Sequence, residues 1–208
     1  YQTACGAVDI AMHTIERYFC PGEDTYLTDS IAEAVIKSTR KAAFDCMKNP
    51  DDYTARANMM WASSLAHNSL TQCGREFQLV VHQFEHELSG MYPKIAHGAG
   101  LAAIWCSWAR YVYKANISRW LQYSANVWNL DIDYEHPEKT IEEAINLQEQ
   151  YYVSLGMPIG LKALGVEEAS LTKLALNCSR NKTRTLTGYK PLAYDDILAI
   201  YQMAYERG

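Results

Sequence analysis

Two short segments of this chain carry side chains suited to holding a divalent metal ion. In the first, Asp9 and His13 stand four positions apart. On a helix that spacing puts both on one face, one turn apart, where they can chelate a single ion. In the second, His82 and His86 repeat the i, i+4 arrangement and His97 follows after a short intervening segment. A carboxylate four residues before a histidine is common on solvated helix faces, so the first pair alone carries little weight. The second group is harder to leave on the surface, because Val80, Val81, Phe84 and Leu88 surround it and histidines in an apolar segment need partners. Three neutral imidazoles and one carboxylate would leave a divalent ion with residual positive charge and an open position. That describes a catalytic site better than a structural one, which closes its shell, often with thiolates. Such an ion acts as a Lewis acid on an alcohol or a carbonyl oxygen. The residue types admit Fe2+ or Zn2+.

These side chains must be positioned by helices. An apolar helical pattern runs from Val8 to about Tyr18 and stops at Pro21-Gly22. Ser30-x-x-Glu33 has the form of a capping box for a helix from Ile31 to about Met47. Asn49-Pro50-Asp51-Asp52 reads as an N-cap, an N1 proline and an acidic first turn, with Gly74 as the stop of that helix. Glu76 to Leu88 is helical, Ser89 to Ala96 a loop, and Leu101 to Tyr113 is apolar all round, as a buried central helix would be. Lys114 to Trp128 continues helically, Thr140-x-x-Glu143 suggests a second capping box for a helix ending near Gly156-Met157-Pro158, and a last helix spans about Asp195 to Glu206. No segment alternates with period two, and no repeat or linker divides residues 1–208, so the expectation is a single all-α, multi-helix domain.

One motif within this pattern is a decoy. Gly98-Ala-Gly100-Leu-Ala-Ala103 fits G-x-G-x-x-A, but the dinucleotide fingerprint needs a preceding strand and a βαβ unit, and Tyr92-Pro93 precedes it instead. The glycines are expected to let backbone approach something beside His97, such as a substrate or a cofactor ring.

Composition narrows the remaining classes. A net charge of −5 and a pI near 5.7, with no basic stripe, give no reason to expect nucleic acid or an anionic membrane as partner. No apolar run is long enough to span a bilayer and the N-terminus has no signal-peptide layout, so a cytoplasmic location is expected. Six cysteines scattered singly read as reduced thiols. The chain opens on Tyr1 rather than Met, and its first helix begins almost at once, which suggests the tail of a longer polypeptide.

The segments Asp9-Ile-Ala-Met-His13-Thr-Ile-Glu16 and His82-Gln-Phe-Glu-His86-Glu-Leu-Ser-Gly-Met-Tyr-Pro-Lys-Ile-Ala-His97-Gly-Ala-Gly100 resemble the metal-ligand segments of the iron-containing (group III) alcohol dehydrogenases. The likeness is strongest to the NAD(P)H-dependent butanol dehydrogenase branch. It continues through Leu155-Gly-Met-Pro158, Leu161-Lys-Ala-Leu-Gly165 and Pro191 to Tyr201, and so covers the chain. The resemblance implies the helical C-terminal domain of the dehydroquinate synthase-like fold, without the nucleotide-binding N-terminal domain. It implies Asp9, His13, His82 and His97 as metal ligands, and His86 beside the ion, orienting the nicotinamide or relaying a proton. A loop before His97 that is one residue longer than in some family members leaves His86 open as a substitute ligand.

The implied activity is interconversion of a primary alcohol and its aldehyde with NAD(P)H, in a homo-oligomer, with this chain inactive until joined to its nucleotide domain. Two other classes stand beside it. A stand-alone helical metal-dependent hydrolase is disfavoured because no His-Asp doublet occurs. A non-catalytic helical interaction module would hold no stoichiometric metal.

Overall fold

The computed structural model describes residues 1–22 and 25–207. Its helices are α1 (Gln2–Tyr18), α2 (Tyr26–Lys48), α3 (Tyr53–His67), α4 (Val80–Met91), α5 (His97–Val112), α6 (Ile117–Trp128), α7 (Pro137–Ser154), α8 (Leu171–Cys178) and α9 (Tyr194–Glu206). Among the described residues the only β-type pairings are isolated bridges, Gly22 with Arg75 and Leu186 with Leu192. The all-α expectation therefore holds, and the Gly98–Ala103 motif has no strand before it. No helix among the described residues is long and apolar enough to cross a membrane.

Helix α5 is the axis of the fold. From Gly98 to Ala109 its residues are buried on every side, and it packs against α1, α4, α7 and α9. Trp105 at its middle is fully buried against Trp108, Trp120, Tyr123 and Tyr152. Truncating such a side chain costs about 3–5 kcal/mol. Helix α1 lays Ala4, Ala7, Val8, Ala11, Met12 and Ile15 into the core. It begins at Gln2 rather than Val8, and its small residues Ala4 to Ala7 lie where α1 and α5 approach closely. A Cβ on Gly98 would fall against the Cys5 carbonyl, and one on Gly100 would lie 2.8 Å from Glu85 Cγ. What the two glycines admit is thus the backbone of α1 and a buried glutamate, in place of the substrate or cofactor ring anticipated.

Several helix ends differ from the sequence pattern. Ser30 lies inside α2, where its hydroxyl donates to Tyr26 O (2.9 Å), and Glu33 accepts from the Tyr18 hydroxyl (2.8 Å). Asp52 rather than Asn49 caps α3, accepting from Ala55 N–H at 3.0 Å. That helix stops at His67, well before Gly74. Helix α7 starts at Pro137, so Thr140 is already inside it and accepts from Asp133 N–H (3.0 Å). At Ser30 and Thr140 the S/T-x-x-E pattern lies within a helix and does not mark its end. All six cysteines are unpaired, and only Cys73 is exposed.

Candidate metal centre

Helix α1, helix α4 and the first residue of α5 converge on the carboxylate of Asp9. His82 Nε2 lies 3.3 Å from Asp9 Oδ1, His97 Nε2 3.4 Å and His13 Nε2 3.6 Å. Metal bonds of about 2.0–2.2 Å to nitrogen and oxygen give a tetrahedron with edges of about 3.3–3.6 Å. The three distances that meet at Asp9 Oδ1 have those lengths, and the donor atoms of Asp9, His13 and His82 all lie within 4.8 Å of one another. The donor set therefore suits a single divalent ion of iron or zinc type.

Two buried glutamates aim the imidazoles. Glu16, on α1, accepts from His82 Nδ1–H through Oε2. Through Oε1 it also accepts from the backbone N–H groups of Val81 (2.5 Å) and His82 (3.4 Å). Glu16 thereby caps α4, whose own N-cap, Leu79, offers no side-chain acceptor. Glu85 accepts from His97 Nδ1–H and from the Ser89 hydroxyl. Both contacts fix the ring with Nε2 toward Asp9, which is how ligating histidines are held in metal sites. Sequence reasoning overlooked both glutamates. The available signal was helical phase, since Glu16 lies three residues after His13, on the face that carries Asp9.

The electrostatics follow from these contacts. Burial would raise the Asp9 pKa, but hydrogen bonds from His82 and His97 outweigh it and hold the carboxylate ionised, well below the usual range. Burial opposes the charge on His82, yet Asp9 and Glu16 raise its pKa to about 9. Hydrogen bonds to Asp9 and Glu85 raise that of His97 to about 10. Burial and the neighbouring His82 charge lower His13 to about 3. With no ion bound, His82 and His97 hold protons that a metal must displace, so binding releases protons and strengthens as pH rises.

His86 lies at the exposed rim of the cluster, its ring 5.7 Å from that of His97 and 6.0 Å from that of His82. The longer loop does not bring it to Asp9; His97 arrives there instead. Glu85, His86 and His97 do form a second close group. Its Glu85 is already engaged by the outer nitrogen of His97 and by Ser89, so the Asp9-centred group is the better ion site. A fifth histidine, His67, unremarked in the sequence, places its Nε2 3.9 Å from Asp9 Oδ2. An open hollow beside the cluster is lined by Phe77, His82, Gln83, His86 and Arg184.

Known proteins share this arrangement of helices. The family described as Fe-containing alcohol dehydrogenase family, C-terminal, matches residues 3–205. The NADH-dependent butanol dehydrogenase A of Clostridium acetobutylicum is 38% identical over 205 residues, covering 98% of this chain and 52% of that protein. The crystal structure of an NADH-dependent butanol dehydrogenase A from Thermotoga maritima superposes with a TM-score of 0.90 at 31% identity, over 98% of this chain and 52% of that one. The substrate- and cofactor-free aldehyde reductase of Escherichia coli also gives 0.90, at 27% identity, over 98% and 53%. The chain spans about half the length of the curated relatives it matches.

Proposed function

The chain belongs to the Fe-containing alcohol dehydrogenase family, and from that premise we propose that it is the metal-carrying half of an enzyme interconverting a primary alcohol and its aldehyde with NAD(P)H. The observation that carries this reading is the convergence of His13, His82 and His97 on one oxygen of Asp9 at the edge lengths of a metal shell. Asp9, His13, His82 and His97 would hold the ion. Bound there, it would supply Lewis acidity toward a substrate oxygen, and the nicotinamide would be the hydride partner.

The protein's own part is orientation and charge. Asp9 neutralises half of a divalent charge and spaces the imidazoles. Glu16 and Glu85 keep the Nε2 atoms of His82 and His97 turned inward. His86, exposed beside the set, would orient the nicotinamide or relay the proton exchanged with the substrate hydroxyl. The dinucleotide would come from a Rossmann-like N-terminal domain facing the exposed sides of His86 and His97, in a cytoplasmic homo-oligomer. Relatives named as NADH-dependent and NADPH-dependent both match this chain, so either cofactor suits the half described.

Replacing His97 with Ala in the full-length enzyme tests the assignment. The expected result is loss of bound metal together with alcohol oxidation, with helical content unchanged by circular dichroism. Turnover at the parent rate would overturn it.

A further inference from the structure

His67 is the last residue of α3 and stands at the same carboxylate as the three inward-facing histidines. Its Nδ1 lies 2.7 Å from Ser63 O. A carbonyl only accepts, so Nδ1 carries the hydrogen and the neutral ring bears its lone pair on Nε2. That Nε2 faces Asp9 Oδ2, whereas His13, His82 and His97 face Oδ1. The ring also packs 4.2 Å from that of His13. The wiring repeats that of His82 and His97, with the outer nitrogen given to an acceptor and the inner one turned to the carboxylate. Ligating histidines are wired in this way.

Exposure and anchoring distinguish His67 from His82. Its side chain is 41% exposed, close to the 38% of His97 and far above the 16% of His13 and the 3% of His82. Its outer nitrogen is held by a carbonyl of its own helix end, where His82 and His97 are held by buried carboxylates. It is therefore anchored less firmly than His82 and His97. At 3.9 Å it faces Oδ2, the other oxygen of the same carboxylate, so its side chain would have to turn to meet an ion held at Oδ1.

We propose that His67 is an exchangeable further donor to the metal held at Asp9, filling the position a substrate oxygen needs and yielding it when substrate enters. The inference rests on the metal reading above. The ring would keep the site closed to adventitious anions and to excess water between turnovers.

The test uses the Co2+-substituted full-length enzyme, comparing the parent with His67→Ala and His67→Gln. The parent is expected to show the weak visible bands of a five-coordinate ion. Both variants should gain intensity toward the four-coordinate pattern, bind azide about tenfold more tightly, and hold Co2+ up to about tenfold less tightly. Added imidazole should restore the parent spectrum in His67→Ala. Superimposable spectra with equal azide affinity would overturn the proposal while leaving the four-ligand site intact. Failure of the parent to bind Co2+ at all would overturn both.

Discussion

Asp9 and Asp29 each gather a ring of basic side chains, and the kind of base makes one cluster a joint and the other a site. Arg119 forks onto both oxygens of Asp29 at 2.5 and 2.9 Å, Arg75 pairs with Oδ1, and Gln122 and Thr25 donate at 3.0 Å each. Guanidinium groups keep their protons and offer no lone pair. The cluster can only be a closed tie between α2, α6 and the segment after α3. The Arg119 guanidinium, 3.7 Å from the Tyr18 ring, carries that tie on to α1. Asp9 is surrounded by imidazoles, each of which can offer a nitrogen lone pair to a metal. Its cluster is partly open, with His97 38% exposed, while the Arg75 side chain at Asp29 is 1% exposed.

The comparison can be broken from the structural side first, where the largest stability effect lies. Replacing Asp29 with Ala leaves two buried guanidinium groups without a counter-charge and should cost about 3–5 kcal/mol in urea unfolding. The metal held by the folded fraction should not change; a loss of metal there would show that the two clusters are coupled. Burial alone would raise the Asp29 pKa, but hydrogen bonds from Arg119 and Gln122 lower it to about 2. A folded-state pKa below the unfolded one stabilises above the unfolded value of about 3.9. That contribution should be complete above about pH 4 and disappear as pH falls toward 2, a slope missing from Asp29→Ala.

On the other side, Glu85→Gln tests whether the imidazoles are aimed by their outer partners. It should weaken metal affinity about 10–100-fold in a competition titration, with little change in unfolding midpoint of the metal-free protein. Unchanged affinity would mean that α5 alone orients His97.

The smallest effects concern helix ends, where sequence and structure diverge. Asp52→Ala should cost about 1 kcal/mol, because its carboxylate caps α3. Ser30→Ala should change stability by less than about 0.5 kcal/mol, because Ser30 lies on an exposed face of α2. Equal costs would reverse the assignment of caps.

What was legible in the sequence followed the range of the interaction. Asp9 with His13, and His82 with its apolar flanks, are visible because one helical turn links them, and α5 is visible because its residues are apolar on all sides. The capping boxes misled because a short polar pattern recurs inside helices, on an exposed face at Ser30 and a buried one at Thr140. Helix α8 was missed, its eight residues being too few for a clear period. Glu16 and Glu85 were passed over because each acts on a histidine of a different helix, Glu16 across 66 positions of sequence. His67 has no acidic or histidine neighbour one turn away and meets Asp9 only through the packing of α3 on α1.

The most direct test of the account is metal content of the full-length enzyme and its Asp9→Asn variant, measured by elemental analysis after dialysis. Removing the charge that holds three imidazoles together should take occupancy from about one ion per chain to near zero. Wild-type occupancy in Asp9→Asn, or a parent enzyme that carries no ion after incubation with Fe2+ or Zn2+, would contradict it.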